Sequence, residues 1–126
     1  MIMDLIKLLI QPTELGTSDI SANDLWSEFI WKYVIIRWYD SWVHFGKLEK
    51  AIKWDYILTD TRRLWYWKCK QWIWLSSVAQ YWLSSDSKIT CALAKIQITD
   101  ERISEIIPCT DEAIKSIQEQ PEYIPN

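Results

Sequence analysis

Apolar and polar residues change period several times along this chain, and each change marks an element. Tyr33-Val34-Ile35-Ile36-Arg37-Trp38 is β-branched and aromatic and reads as a strand. Val43-His44-Phe45-Gly46-Lys47-Leu48-Glu49 alternates apolar and polar residues, as a half-buried strand does. Tyr56-Ile57-Leu58-Thr59 and Arg63-Leu64-Trp65-Tyr66-Trp67 add two further short strands. At Leu75 the period turns helical, with apolar residues at 75, 78, 79, 82 and 83. Lys88 to Thr99 alternates again, and Ile103 to Ile107 is a last apolar segment that stops at Pro108. Thr110 followed by Asp111 and Glu112 is a helix start, a hydroxyl cap with acids in the first turn, and Ala113, Ile114 and Ile117 supply that helix's apolar face.

The pattern predicts an α+β domain over residues 31–120: five or six short strands with one inserted helix and one C-terminal helix. They form a small curled sheet or an SH3/Sm-like barrel. Residues 1–30 read as a helical appendage and linker. Ile2, Leu5, Ile6 and Leu9 share a helical face, Pro12 and Gly16 break it, and Ser21 or Asn23 caps a second short helix. Residues 121–126, with two prolines, are predicted to fray.

Composition narrows the class. With 126 residues, 49% hydrophobic and 25% charged, the chain can build one packed core and is not disordered, and no run of about 18 apolar residues is present to span a membrane. The N-terminal apolar stretch is short, is interrupted by Asp4 and lacks the features of a secretory signal. Cys69, Cys91 and Cys109 are odd in number and lack C-x-x-C spacing, and His44 is the single histidine. Reduced thiols, a cytoplasmic protein, and no metal or cofactor are therefore expected.

Charge is uneven. From Arg37 to Lys70 there are eight Lys or Arg and four acids, whereas the rest of the chain is acidic and brings the net charge to −3. A basic, aromatic-rich middle is the footprint of an anion-binding surface, and a solvated sheet face can look the same. As a strand, the central segment puts Arg63, Trp65 and Trp67 on one face and Arg62, Leu64, Tyr66 and Lys68 on the other. Arg37, Arg62, Arg63, Trp65, Trp67 and Lys68 are the candidate ligand residues: aromatic rings to stack on bases, cations to hold phosphate. In the plainer alternative Trp65 and Trp67 are core residues and the arginines are surface or interface charges.

Catalytic machinery is thin. His44 would need Asp40 or Asp60 as an orienting partner, and its place in an alternating strand predicts a half-exposed polar position instead. Ser76, Ser77 and Cys91 lack a nucleophile's context, and Gly16 and Gly46 stand alone rather than forming a phosphate loop. The expected function is a non-enzymatic binding module for a nucleotide or single-stranded nucleic acid, in a protein that self-associates. The alternative is an oligomeric interaction or virion structural protein whose Trp-rich face meets another subunit.

Three segments carry a family resemblance: Val34-Ile35-Ile36-Arg37 with Val43-His44-Phe45-Gly46-Lys47-Leu48, then Ile57 to Lys68 with Arg62-Arg63-Leu64-Trp65-Tyr66-Trp67, then Ile106-Ile107-Pro108-Cys109-Thr110-Asp111-Glu112-Ala113. Over about residues 33 to 118 the chain resembles a group of small uncharacterised bacterial and bacteriophage proteins. Their pattern is I-R-T-x-S-A-G-V-x-x-G-x-L, then R-R-I-W-Y-W-x-G-A, then I-I-P-x-T-x-x-A. The resemblance implies a domain identity and brings no activity. It also places Trp42 and Trp82 where the pattern has glycine. A gene whose UGA codons mean glycine, translated with a table that reads UGA as tryptophan, would show such replacements at 42 and 82, with Trp38, Trp54 and Trp72 as further candidates. Ten Trp beside two Gly fit that reading, since average usage predicts about nine Gly in this length.

Overall fold

The structure, a computed structural model, describes residues 27–69 and 74–125. Of the appendage read into residues 1–30, residues 1–26 lie outside them. Among the described residues are six strands, β1 (Tyr33–Trp38), β2 (Trp42–Ile52), β3 (Asp55–Tyr66), β4 (Lys88–Ile89), β5 (Leu93–Thr99) and β6 (Ile103–Pro108). Helix α1 (Leu75–Gln80) lies between β3 and β4, and α2 (Asp111–Glu119) follows β6. The strands form one antiparallel sheet in the order β4-β3-β2-β1-β6, with β5 also paired to β3.

β1 explains why the sheet is covered on both sides. Ile35 faces α1 and α2 in a core with Phe45, Leu64, Val78 and Ile117, while Val34, Ile36 and Trp38 point into a second core with Leu48, Tyr56 and Leu58. The sheet's own curl encloses that second core. Asp100, in the turn between β5 and β6, holds the curl. Its backbone N–H donates to the Trp54 carbonyl (3.0 Å), and its carboxylate accepts from the N–H groups of Asp40 (3.1 Å), Ser41 (3.0 Å) and Arg102 (2.9 Å). One turn is thereby tied to the tips of both preceding hairpins. The small α+β fold agrees with the sequence pattern, and the sheet is open rather than a closed barrel.

Three boundaries differ from the sequence pattern. The segments 56–59 and 63–67 merge into one strand, β3, which ends at Tyr66 and runs through the polar Asp60. Asp60 takes a left-handed φ of 48° and accepts hydrogen bonds from the Tyr33 hydroxyl (2.6 Å) and the Gln118 amide (2.9 Å). Lys88 to Thr99 is two strands, because β4 pairs with the end of β3 (Leu64↔Ile89) and β5 with its beginning (Asp55↔Thr99 to Thr61↔Leu93). Helix α1 stops at Gln80, where the Thr110 hydroxyl donates to the Gln80 carbonyl (2.9 Å) while accepting from the Ala113 N–H (3.2 Å) as the cap of α2. In the C-terminal segment the Tyr123 N–H donates to the Ile89 carbonyl (3.0 Å), and its ring meets Trp65 edge-on at 5.2 Å.

The register between β2 and β3 shifts at Phe45/Lys47, which sets Gly46 against Thr61. A Cβ at position 46 would lie 2.9 Å from the Thr61 Cβ and 3.2 Å from the Thr59 carbonyl oxygen, while Thr61 is pinned by its hydroxyl donating to the Phe45 carbonyl (2.7 Å). Gly46→Ala is expected to destabilise the fold by about 1–3 kcal/mol, the usual range for overpacking, read by denaturant unfolding. Hydrogen bonds from the Arg102, Ser41 and Asp40 N–H groups hold the Asp100 carboxyl below the usual carboxylate range, against the upward effect of burial. A depressed folded-state pKa gives stability above the unfolded value near about 3.9 that is lost as pH falls through the folded value. Asp100→Asn should therefore lower the unfolding midpoint at pH 7, and its deficit against the parent protein should shrink in acid.

Candidate functional site

β3 changes neighbours halfway along its outer edge, and the chain steps away from it at residues 90–92, between β4 and β5. The step opens a cavity of about 270 Å³ lined by His44, Thr61, Arg62, Arg63, Thr90, Cys91, Leu93 and Ile96. Thr90 organises its wall. The Thr90 N–H donates to the Arg63 carbonyl (3.0 Å), and the Thr90 hydroxyl oxygen accepts from the Arg63 N–H (2.9 Å). The Thr90 carbonyl accepts from Arg62 Nε (2.8 Å).

The two neighbouring arginines have different fates. Arg62 is 6% exposed. Its Nη1 donates to the carbonyls of Ile117 (2.9 Å), Gln118 (3.5 Å) and Gln120, so the guanidinium caps the C-terminal end of α2, where a cation is favoured by the helix dipole. These bonds commit its donors to the fold. Arg63 is exposed at the cavity, and no carboxylate pairs with it among the described residues. Its Nε lies 3.4 Å from His44 Nε2.

His44, expected half-exposed, is only 2% exposed, because the curl covers the face on which it lies. Its ring meets Trp38 edge-on at 5.6 Å, and its Nε2 lies 2.9 Å from the Ser41 carbonyl. A neutral imidazole nitrogen either donates or accepts, so the shorter contact assigns the proton to Nε2, donated to Ser41, and makes the longer Arg63 contact electrostatic. Burial, with a smaller contribution from the Arg63 charge, pushes the imidazole down to about 4. The carboxylates considered as its partners are engaged elsewhere: Asp40 accepts from Arg102 (2.9 and 3.0 Å), and Asp60 holds Tyr33 and Gln118.

Beside the cavity, β3 and β4 carry an aromatic shelf. Lys88 Nζ sits 4.8 Å from the Tyr123 ring centre and 5.6 Å from those of both Trp65 and Tyr66. Trp65 is 46% exposed, and Arg63 precedes it by two residues, one strand repeat of about 6.6 Å. Trp67 does not share this face as alternation predicted: β3 ends at Tyr66, and Trp67 packs half-buried against the helical core. Lys68 forms an ion pair with Asp86 (3.7 Å). Arg37, on β1 and two strands away from β3, pairs with Glu105 of β6 (2.6 Å). Of the six candidates, Arg62 and Arg63 line the cavity, and Trp65 follows Arg63 on the same strand. The sequence reading missed Lys88, Thr90 and Tyr123, and only the basic character of Lys88 beside Ile89 hinted at them.

A low folded-state value for His44 implies that stability is complete above pH 6.5, the ordinary value, and falls as the pH drops from there towards about 4. Denaturation midpoints should decline over that window, and His44→Asn should flatten the decline. Because the chain has one histidine, its imidazole proton resonance is unambiguous and should still report the neutral ring at pH 5.5. A titration midpoint near 6.5 would contradict the burial.

The profile of a family described as Domain of unknown function (DUF6948) matches residues 31–117, from the entry into β1 to the last buried turn of α2. No curated protein matches the chain.

Proposed function

The chain belongs to the family Domain of unknown function (DUF6948), and for this member we propose a non-enzymatic binding module for a nucleotide or single-stranded nucleic acid, in a small phage or bacterial accessory protein. The observation that carries the reading is the adjacency of Arg63, exposed at the cavity without a carboxylate, to the Trp65, Tyr66 and Tyr123 rings gathered around Lys88. A phosphate would sit at Arg63, with the Thr90 and Cys91 side of the cavity beside it, and a base would stack on Trp65. Arg62 contributes by holding Thr90 in place. The neutral His44 leaves Arg63 as the charge an anion meets.

A second reading rests on another observation. Trp31, Trp42, Trp54, Trp65 and Trp74 are all exposed, an unusual amount of indole for a free surface. On that reading the module is an oligomeric or virion component, and native mass spectrometry would show a homo-oligomer without added mass.

The binding reading is tested by anisotropy of a labelled short single-stranded oligonucleotide. Affinity should fall steeply with salt. Arg63→Glu should abolish the complex, and Trp65→Ala should weaken it by about 1–3 kcal/mol. Arg37→Glu, on the far side of the sheet, should bind as the parent does. Undiminished binding by Arg63→Glu sinks the proposal.

A further inference from the structure

Four residues other than glycine hold a left-handed backbone among the described residues: Trp31 (φ 68°), Trp42 (φ 71°), Lys53 (φ 55°) and Asp60 (φ 48°). Gly46, the one described glycine, does not. Asp60 has its own hydrogen-bonding partners, and Asp tolerates this region. A tryptophan there is an outlier, and such strain persists only where the surroundings impose it and something repays it.

The surroundings do impose it. Trp31 enters β1 with its N–H donating to the Leu48 carbonyl (2.6 Å), and Trp42 is the residue at which the turn after β1 re-enters the sheet, paired with Trp38. A short hairpin loop closing this way takes glycine at its left-handed residue. Nothing repays the strain through the side chains: Trp31 is 61% exposed and Trp42 62% exposed. The same chain holds ten Trp and two Gly. Of the other replacement candidates, Trp38 lies in an extended strand and is buried, Trp54 and Trp82 have no left-handed φ, and Trp72 lies outside the described residues.

We propose that codons 31 and 42 of the gene are UGA and are read as glycine where the protein is made, so that the native chain carries glycine at both positions. Backbone geometry selects these two sites from the eight tryptophans among the described residues, and it adds Trp31 to the positions that the sequence pattern alone singled out. Two of the five exposed indoles behind the oligomer reading are then not side chains of the native protein. Trp65 and Trp67, in extended or core positions, remain tryptophan.

The test is to read both codons in the gene and to sequence by tandem mass spectrometry the peptides spanning residues 31 and 42 from protein made in its native host. UGA codons with glycine in both peptides are expected. UGG at either codon, or tryptophan in either peptide, overturns the proposal. Unfolding of Trp42→Gly against the form with tryptophan at 42, both made by a standard-code host, is an independent check on its premise. Glycine should raise the midpoint, and a lower midpoint would show that the indole earns its place and overturn the assignment at 42.

Discussion

A guanidinium shut away from water has to be surrounded by acceptors, and Arg62 finds them on two separate parts of the chain. It sits on β3, donates to the Thr90 carbonyl between β4 and β5, and donates to the last carbonyls of α2. Removing a partner from such a network leaves buried polar groups unsatisfied, so the segments hold their relative positions as a unit. The cavity depends on this arrangement. Thr90 can form its wall because Arg62 fixes its carbonyl from beneath while the Arg63 backbone fixes its N–H and hydroxyl from beside it.

The electrostatic character of the middle segment follows from which cations are already occupied. Arg37, Lys68, Lys95 and Arg102 each face a carboxylate, at Glu105, Asp86, Glu49 and Asp40 respectively. Exposed pairs of this kind add little to stability, but they neutralise the field that a ligand would feel. The excess of basic residues counted along the sequence therefore overstates the attractive surface: Arg37 and Lys68 are paired and Arg62 is buried in the fold, whereas Arg63 is exposed at the cavity.

Much of the fold was legible in the chain because local pattern and final structure agree. β1, β2, β6 and the Thr110 cap of α2 follow from β-branched runs, alternation and capping chemistry. What was hidden is non-local. No local rule says that Asp60 continues a strand, because the Tyr33 and Gln118 contacts that keep it there are far away in sequence. Alternation separates Arg62 from Arg63 but does not say which face meets α2, so the inward arginine was counted with the outward one. His44 was expected to be half-exposed because a flat sheet has a wet face, whereas this one curls over its own.

The three cysteines now differ in kind. Cys69 is fully buried, and Cys109 is half-buried, its thiol pushed up to about 12 by burial, which suppresses the thiolate form that reacts. Cys91 is exposed and lines the cavity. Sequence alone left these thiols equivalent, but the fold makes one of them addressable. A maleimide dye added to the native protein would attach at the cavity mouth, turning the molecule into its own reporter of whatever occupies that space.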